Sequence, residues 1–203
     1  MTDVIKLNLI NNSNEAPNGR IVICQKLYSE QPAVAWQVIK NLGIGSSHPF
    51  TYSWALEVSA MDPEGNYTPK LPAHEGQAFD LILQPTGNTL VPSAQPTTTP
   101  KATEINNLLP QGAINANIYR DGKLLATKTQ IPPQQKAVFQ FKPTIWIGVA
   151  SQVEAGQIMD SAIISNINTE LSLLGIASAN IIMTGGGPGG QPYHFSLANV
   201  VNY

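Results

Sequence analysis

Charge is what this sequence has least of: Asp, Glu, Lys and Arg make up 12% of its 203 residues, about half the usual share of ~25%. Phosphate backbones are gripped by clustered Lys and Arg, so a net charge of −2 and a pI near 5.9 argue against nucleic acid as a partner. The same scarcity leaves little repulsion between copies, which makes a homo-oligomer or higher assembly the expected state. Cysteine is almost absent as well. Cys24 alone cannot close an intrachain disulfide, and its place in Ile21-Val22-Ile23-Cys24 suits a small, buried, unreactive strand residue. No apolar run reaches the ~20 residues of a membrane span, and Met1–Lys6 lacks the basic and apolar regions of a secretory signal. The expectation is a cytoplasmic protein, with non-classical export left open.

Reactive constellations are equally scarce. The segment Gly185–Gly190 exposes backbone N–H groups that could cradle an anion, yet no Lys-Ser or Lys-Thr follows it, and Gln191–Phe195 reads as a strand rather than a helix. A hairpin loop is the better reading. Gly43-Ile44-Gly45-Ser46-Ser47-His48 places serines near a histidine without a nucleophile elbow. His74-Glu75 and His194 have no second ligand at zinc spacing. Asp62, Glu64 and Asn66 alternate oxygens as a calcium loop does, but the glycine falls at 65 and no acid stands at 73, so a Pro-Glu-Gly turn is favoured. No catalytic, cofactor-binding or metal-binding residue is therefore assigned, and the chain is not expected to be an enzyme; a site assembled from distant Asp, Glu and His residues is the third-ranked reading.

What the sequence does have is alternation. Phe50-Thr51-Tyr52-Ser53-Trp54-Ala55-Leu56-Glu57-Val58 carries apolar side chains at every even position, the period of a half-buried strand. Shorter strand-like stretches are 4–10, 21–27, 33–40, 79–84, 113–120, 123–130, 137–142 and 144–150. Arg120-Asp121-Gly122-Lys123 predicts a type I′ hairpin, because both central residues must take positive φ. Asn18-Gly19 and Asp62–Asn66 are further turns, and Pro132-Pro133 and Pro143 belong at strand ends. Residues 157–165 and 169–174 are too short and too β-branched to promise much helix. The Pro- and Thr-rich stretch 92–112 reads as a surface loop rather than a strand. The fold class is all-β: one antiparallel β-sandwich domain over 1–203, jelly-roll topology being one candidate, with about eight to twelve strands, a loop insertion at 92–112 and a Gly-rich loop at 184–190.

Ile21–Lys26, Val34-Ala35-Trp36, Phe50–Trp54 and Lys142-Pro143-Thr144-Ile145-Trp146-Ile147-Gly148 leading to Ala155–Asp160 resemble, in order and spacing, the RhiA-like (rhizosphere-induced protein) family over most of the chain. The resemblance implies a small bacterial protein tied to population-density-regulated expression and life around a host, with no established enzymatic activity. These motifs are structural, so they bear on fold and not on chemistry.

Two segments carry opposite charge. Residues 120–142 hold Arg120, Lys123, Lys128, Lys136 and Lys142 against Asp121, net plus four; residues 57–80 hold Glu57, Asp62, Glu64, Glu75 and Asp80 against Lys70, net minus four. Lysines commonly guard an edge strand. The sharper expectation is that the basic hairpin meets the acidic segment of a neighbouring copy, so that salt weakens the assembly. Trp36, Trp54 and Trp146 could stack on sugar rings, but Trp54 shares the face of Phe50, Tyr52 and Leu56 expected of a core. Trp146, opposite Ile145 and Ile147, is placed outward or in a second interface. The expected function is a non-enzymatic structural or self-associating protein whose sandwich surface mediates assembly. A lectin-like or other ligand-binding sandwich, with carbohydrate as partner, is the alternative.

Overall fold

Apolar residues recurring every second position give strands with one buried face, and strands make up nearly all of the regular structure among the described residues. The computed structural model describes residues 4–15, 19–27 and 32–203. In chain order the strands are β1 (Val4–Asn11), β2 (Arg20–Cys24), β3 (Gln37–Ile39), β4 (Ser47–Ser53), β5 (Leu56–Met61), β6 (Leu71–Ala73), β7 (Ala78–Gln84), β8 (Gly87–Pro92), β9 (Thr103–Asn107), β10 (Ile114–Arg120), β11 (Lys123–Ile131), β12 (Lys136–Phe139), β13 (Thr144–Ala150), β14 (Thr169–Ser172), β15 (Ile176–Thr184) and β16 (His194–Asn202). A single six-residue helix, α1 (Ser161–Asn166), is N-capped by Asp160, whose side chain accepts from the Ile163 N–H. Sixteen strands among the described residues exceed the eight to twelve expected.

Contacts gather these strands into two compact units rather than one. The first takes the described residues of Met1–Lys26, Pro32–Trp54 and Lys142–Tyr203; the second takes Ala55–Phe141 together with Leu27, which bridges Phe141. Each holds eight strands in two four-stranded sheets. In the first unit the sheet orders are β16-β15-β1-β4 and β14-β13-β2-β3, and in the second β11-β10-β5-β6 and β12-β9-β7-β8. Most neighbours are antiparallel, but β1 with β15 and β7 with β9 run parallel. A sheet made wholly of hairpin neighbours would not contain such pairs, because a parallel partner needs a crossover.

Register puts the core of the first unit on one face. Ile5 opposes Tyr52, Leu7 opposes Phe50 and Ala179, and Leu9 opposes Ile181. Across from them Gln25 Nε2 donates to the Tyr52 hydroxyl (3.0 Å) and to the carbonyls of Lys142 and Thr144, tying the two sheets together through a buried amide. The run Ile21-Val22-Ile23-Cys24 is continuous rather than alternating because its sheet is covered on both faces. Val22, Cys24 and Ala150 on the far face join Ala33, Ala35, Val153, Met159 and Ile167 in a second small core, with Trp146, Ile163 and Ile164 packed against it. Gly148 lets this layer come close: a Cβ there would lie 2.1 Å from the Asn166 carbonyl oxygen and 2.8 Å from Ile167 Cα. Both are backbone atoms, so the strain cannot be relieved by a rotamer change. Gly148→Ala is expected to lower stability by about 1–3 kcal/mol, read as a drop in urea midpoint at unchanged slope.

In the second unit Val58 opposes Ile118, Ala60 opposes Ala116, Phe79 opposes Ile105, and Ile105 opposes Ala137. The predicted Asp-Gly hairpin forms as expected, with Asp121 at φ 52°, Gly122 at φ 72° and Arg120 paired with Lys123.

Two expectations fail instructively. The alternating run 50–58 is not one strand: β4 pairs with β1, β5 pairs with β10, and the bend at Trp54 separates them where the chain passes between units. Trp54 is consequently 38% exposed rather than core, its ring edge-on to Tyr52 at 5.3 Å. The stretch 92–112 is not all loop. Within it β9 is an interior strand between β12 and β7, with Thr103, Ile105 and Asn107 buried. The Asn18-Gly19 turn lies partly outside the described residues.

Candidate interaction surface

The two charged segments are spread over both sheets of the second unit, with Arg120 on β10, Lys123 and Lys128 on β11, Lys136 on β12, Glu57 on β5 and Asp80 on β7. Because β5 and β10 are hydrogen-bonded partners, Glu57 stands directly opposite Tyr119 and Leu56 opposite Arg120. Lys70 Nζ sits 3.9 Å from the Tyr119 ring centroid and donates to the Gly122 carbonyl (3.0 Å). The charges of the two segments are thus divided among several strands rather than gathered on one hairpin and one facing segment. Arg120 is buried at 3% exposure. Lys128 is half-buried, and that burial holds its ammonium below the ordinary lysine range. Lys136 is engaged by Glu104 at 2.8 Å. Of the basic residues expected at an interface, Lys123 on its hairpin is exposed.

Asp62 is buried as well, for a local reason. Its Oδ1 accepts the N–H groups of Glu64 (3.1 Å) and Asn66 (2.8 Å), and its Oδ2 accepts the side-chain amides of Asn66 and Asn88. Burial pushes its pKa up, but the hydrogen bonds from Asn88, Asn66 and Glu64 outweigh it and hold the carboxyl below its ordinary value. This is an Asx turn whose carboxylate is already occupied by protein donors. Glu64 and Glu75 are exposed. Asp80 accepts from Asn106 Nδ2 (2.7 Å).

Trp146 goes into the second core of the first unit instead of outward, and Lys26 Nζ caps its ring at 3.5 Å from the centroid. With Trp36 fully buried, the three tryptophans make no stacking platform. Cys24 is buried, its thiol pushed up to about 12 by burial against a small opposing pull from Lys26, so it is inert as a nucleophile. The Gly-rich loop closes the β15–β16 hairpin and is tied down by Asn14, whose N–H and side-chain amide donate to Gly185 O (2.8 Å) and Gly186 O (3.1 Å). Among the described residues no three His, Cys, Asp or Glu side chains gather as a metal site, and no helix is long and apolar enough to cross a membrane. A hollow of about 180 Å³ beside Asn106, Leu108 and Lys136 is smaller than the ~300–1,000 Å³ typical of ligand pockets.

No family model, curated protein or solved structure matches this chain. The candidate site therefore stands on its own geometry, which singles out β16. This strand is the outer member of its sheet, pairing on one side with β15. Val200, Val201 and Tyr203 are 42%, 55% and 56% exposed, and Leu174 is 75% exposed. Backbone pairing brings them together, since Ile176 opposes Asn202 and the Tyr203 N–H donates to Gly175 O (3.1 Å). Sequence reasoning missed this edge, although a signal was present: no Asp, Glu, Lys or Arg occurs from Leu171 to Tyr203.

Proposed function

We propose that this chain is a non-enzymatic structural protein that self-associates through the surface of its β-sheets. The observation that carries the reading is the uncharged, apolar edge at β16, where four large hydrophobic side chains lie open at adjoining backbone positions. Exposed apolar residues scattered singly need no explanation, whereas a contiguous group marks an interface. The low overall charge and the resemblance to the RhiA-like family, which has no established enzymatic activity, support the same conclusion. A cytoplasmic location goes with it, because a fold whose one thiol is buried depends on no disulfide.

Light scattering tests the proposal. The native mass is expected to exceed the 21.8 kDa of one chain and to hold as salt is raised, since apolar burial and main-chain hydrogen bonds are not screened. A monomer at every concentration overturns self-association. A mass that collapses with salt overturns the apolar surface and returns the charged segments to that role.

A further inference from the structure

Every strand at the border of a sheet carries unpaired N–H and C=O groups along one side, and proteins normally blunt such edges with lysine, proline, charge or brevity. The other borders here follow that rule. β11 carries Lys123 and Lys128, β12 carries Lys136, β14 carries Glu170, β4, β6 and β8 contain Pro49, Pro72 and Pro92, and β3 is three residues long. β16 is different: nine residues, His-Phe-Ser-Leu-Ala-Asn-Val-Val-Asn, with neither proline nor Asp, Glu, Lys or Arg.

Its backbone is suited to pairing over part of that length. From His194 to Ala198 the register against β15 is unbroken, Thr184 opposing His194 and Asn180 opposing Ala198. At Asn199, φ 48°, the register shifts and the strand bulges, and beyond it lie the exposed Val200, Val201 and Tyr203. The edge thus has a regular half that offers main-chain hydrogen bonds and an apolar half that offers burial.

We propose that β16 pairs with β16 of a second copy, antiparallel about a twofold axis, joining two four-stranded sheets into one continuous eight-stranded sheet. The inference deepens the self-association reading and rests on it. Three observations choose this occupant. Self-pairing places no like charges opposite one another, because the strand has none. A head-to-tail pairing of β16 with the opposite border of its own sheet would meet Pro49, which lacks an N–H, and would leave a gap in the ladder. The two copies of an isologous pair present the same edge, so the pairing needs no second type of patch.

Ser196→Lys and Val201→Lys, made separately, test the pairing, with Leu83→Lys as a control at an exposed apolar position of β7. All three sites are exposed, and circular dichroism checks that each variant keeps its strands. The wild type is expected to be a closed dimer, and each β16 variant to weaken association by about 100-fold or more, since a lysine on the paired edge must give up water or hold the second strand off. The control leaves the dimer intact. A folded β16 variant that keeps the wild-type mass, or a wild-type assembly that grows without closing, overturns edge pairing while leaving self-association standing. A monomeric wild type overturns both.

Discussion

Trp36→Ala is expected to lower the unfolding free energy by about 3–5 kcal/mol, the range for deleting a buried aromatic ring. The ring is fully buried, and the Trp36 backbone N–H donates to the Ile23 carbonyl (3.0 Å). Phe50 and Tyr52 meet it edge-on, with centroids 6.4 and 6.1 Å away. Edge-to-face contacts add to area burial because the positive rim of one ring faces the negative face of another. Alanine would leave a cavity bordered by aromatic side chains that the sheet backbone holds apart, so relaxation can fill little of it. Trp36→Phe keeps a ring and is expected to cost less. Urea unfolding measures both; an alanine variant within 1 kcal/mol of wild type would show that the ring is not a keystone of the first unit.

Glu104→Ala is expected to cost a similar ~3–5 kcal/mol, for an electrostatic reason. Glu104 is 2% exposed on the interior strand β9, and its carboxylate accepts from Lys136 Nζ (2.8 Å), the Thr99 N–H (2.9 Å) and the Thr98 hydroxyl (3.2 Å). Removing it strands a partly buried ammonium and releases the loop that Thr98 and Thr99 anchor. Burial by itself raises the Glu104 pKa, but the bonds from Lys136 and Thr99 prevail and hold it below its ordinary 4.5. A depressed carboxylate stabilises the fold fully above the unfolded value and loses that contribution as pH falls through the folded one. The wild type should therefore lose stability below about pH 4.5, and the slope should be shallower in Glu104→Gln. A variant with wild-type pH dependence would assign the acid sensitivity to other carboxylates.

How far the sequence could be read depended on what each signal measures. Alternation located β1 because it has one wet face and one dry face; it located β7, β10 and β11 through apolar spacing, although burial along them does not strictly alternate. It misread 50–58, because the period survives the bend at Trp54 even though the strand does not. It also missed the second core: Val22 and Cys24 are as buried as Ile21 and Ile23, a sign of a doubly covered sheet rather than of alternation. β9 was hidden by composition. Averaging Pro and Thr of 92–100 with Thr103–Asn107 concealed a strand whose buried Glu104 organises the loop before it. That omission, with those of β6, β8, β14, β15 and most of β16, made the halves look poor in strands.

The edge at β16 escaped notice for a related reason. Charge counted along the chain ignores where the strands go, and here Arg120 lies on β10 next to β5, Lys123 and Lys128 on β11, and Lys136 on β12 of the other sheet. The informative feature was the absence of charge after Glu170, which becomes meaningful once β16 is seen to be an edge.

Amide hydrogen exchange along β16 at increasing protein concentration tests the central claim most directly. Pairing with a second copy predicts that outward-facing amides within His194–Ala198 slow as the dimer fills, while those on the β11 edge do not change. Exchange at these β16 amides that stays as fast at high concentration as at low would contradict the account.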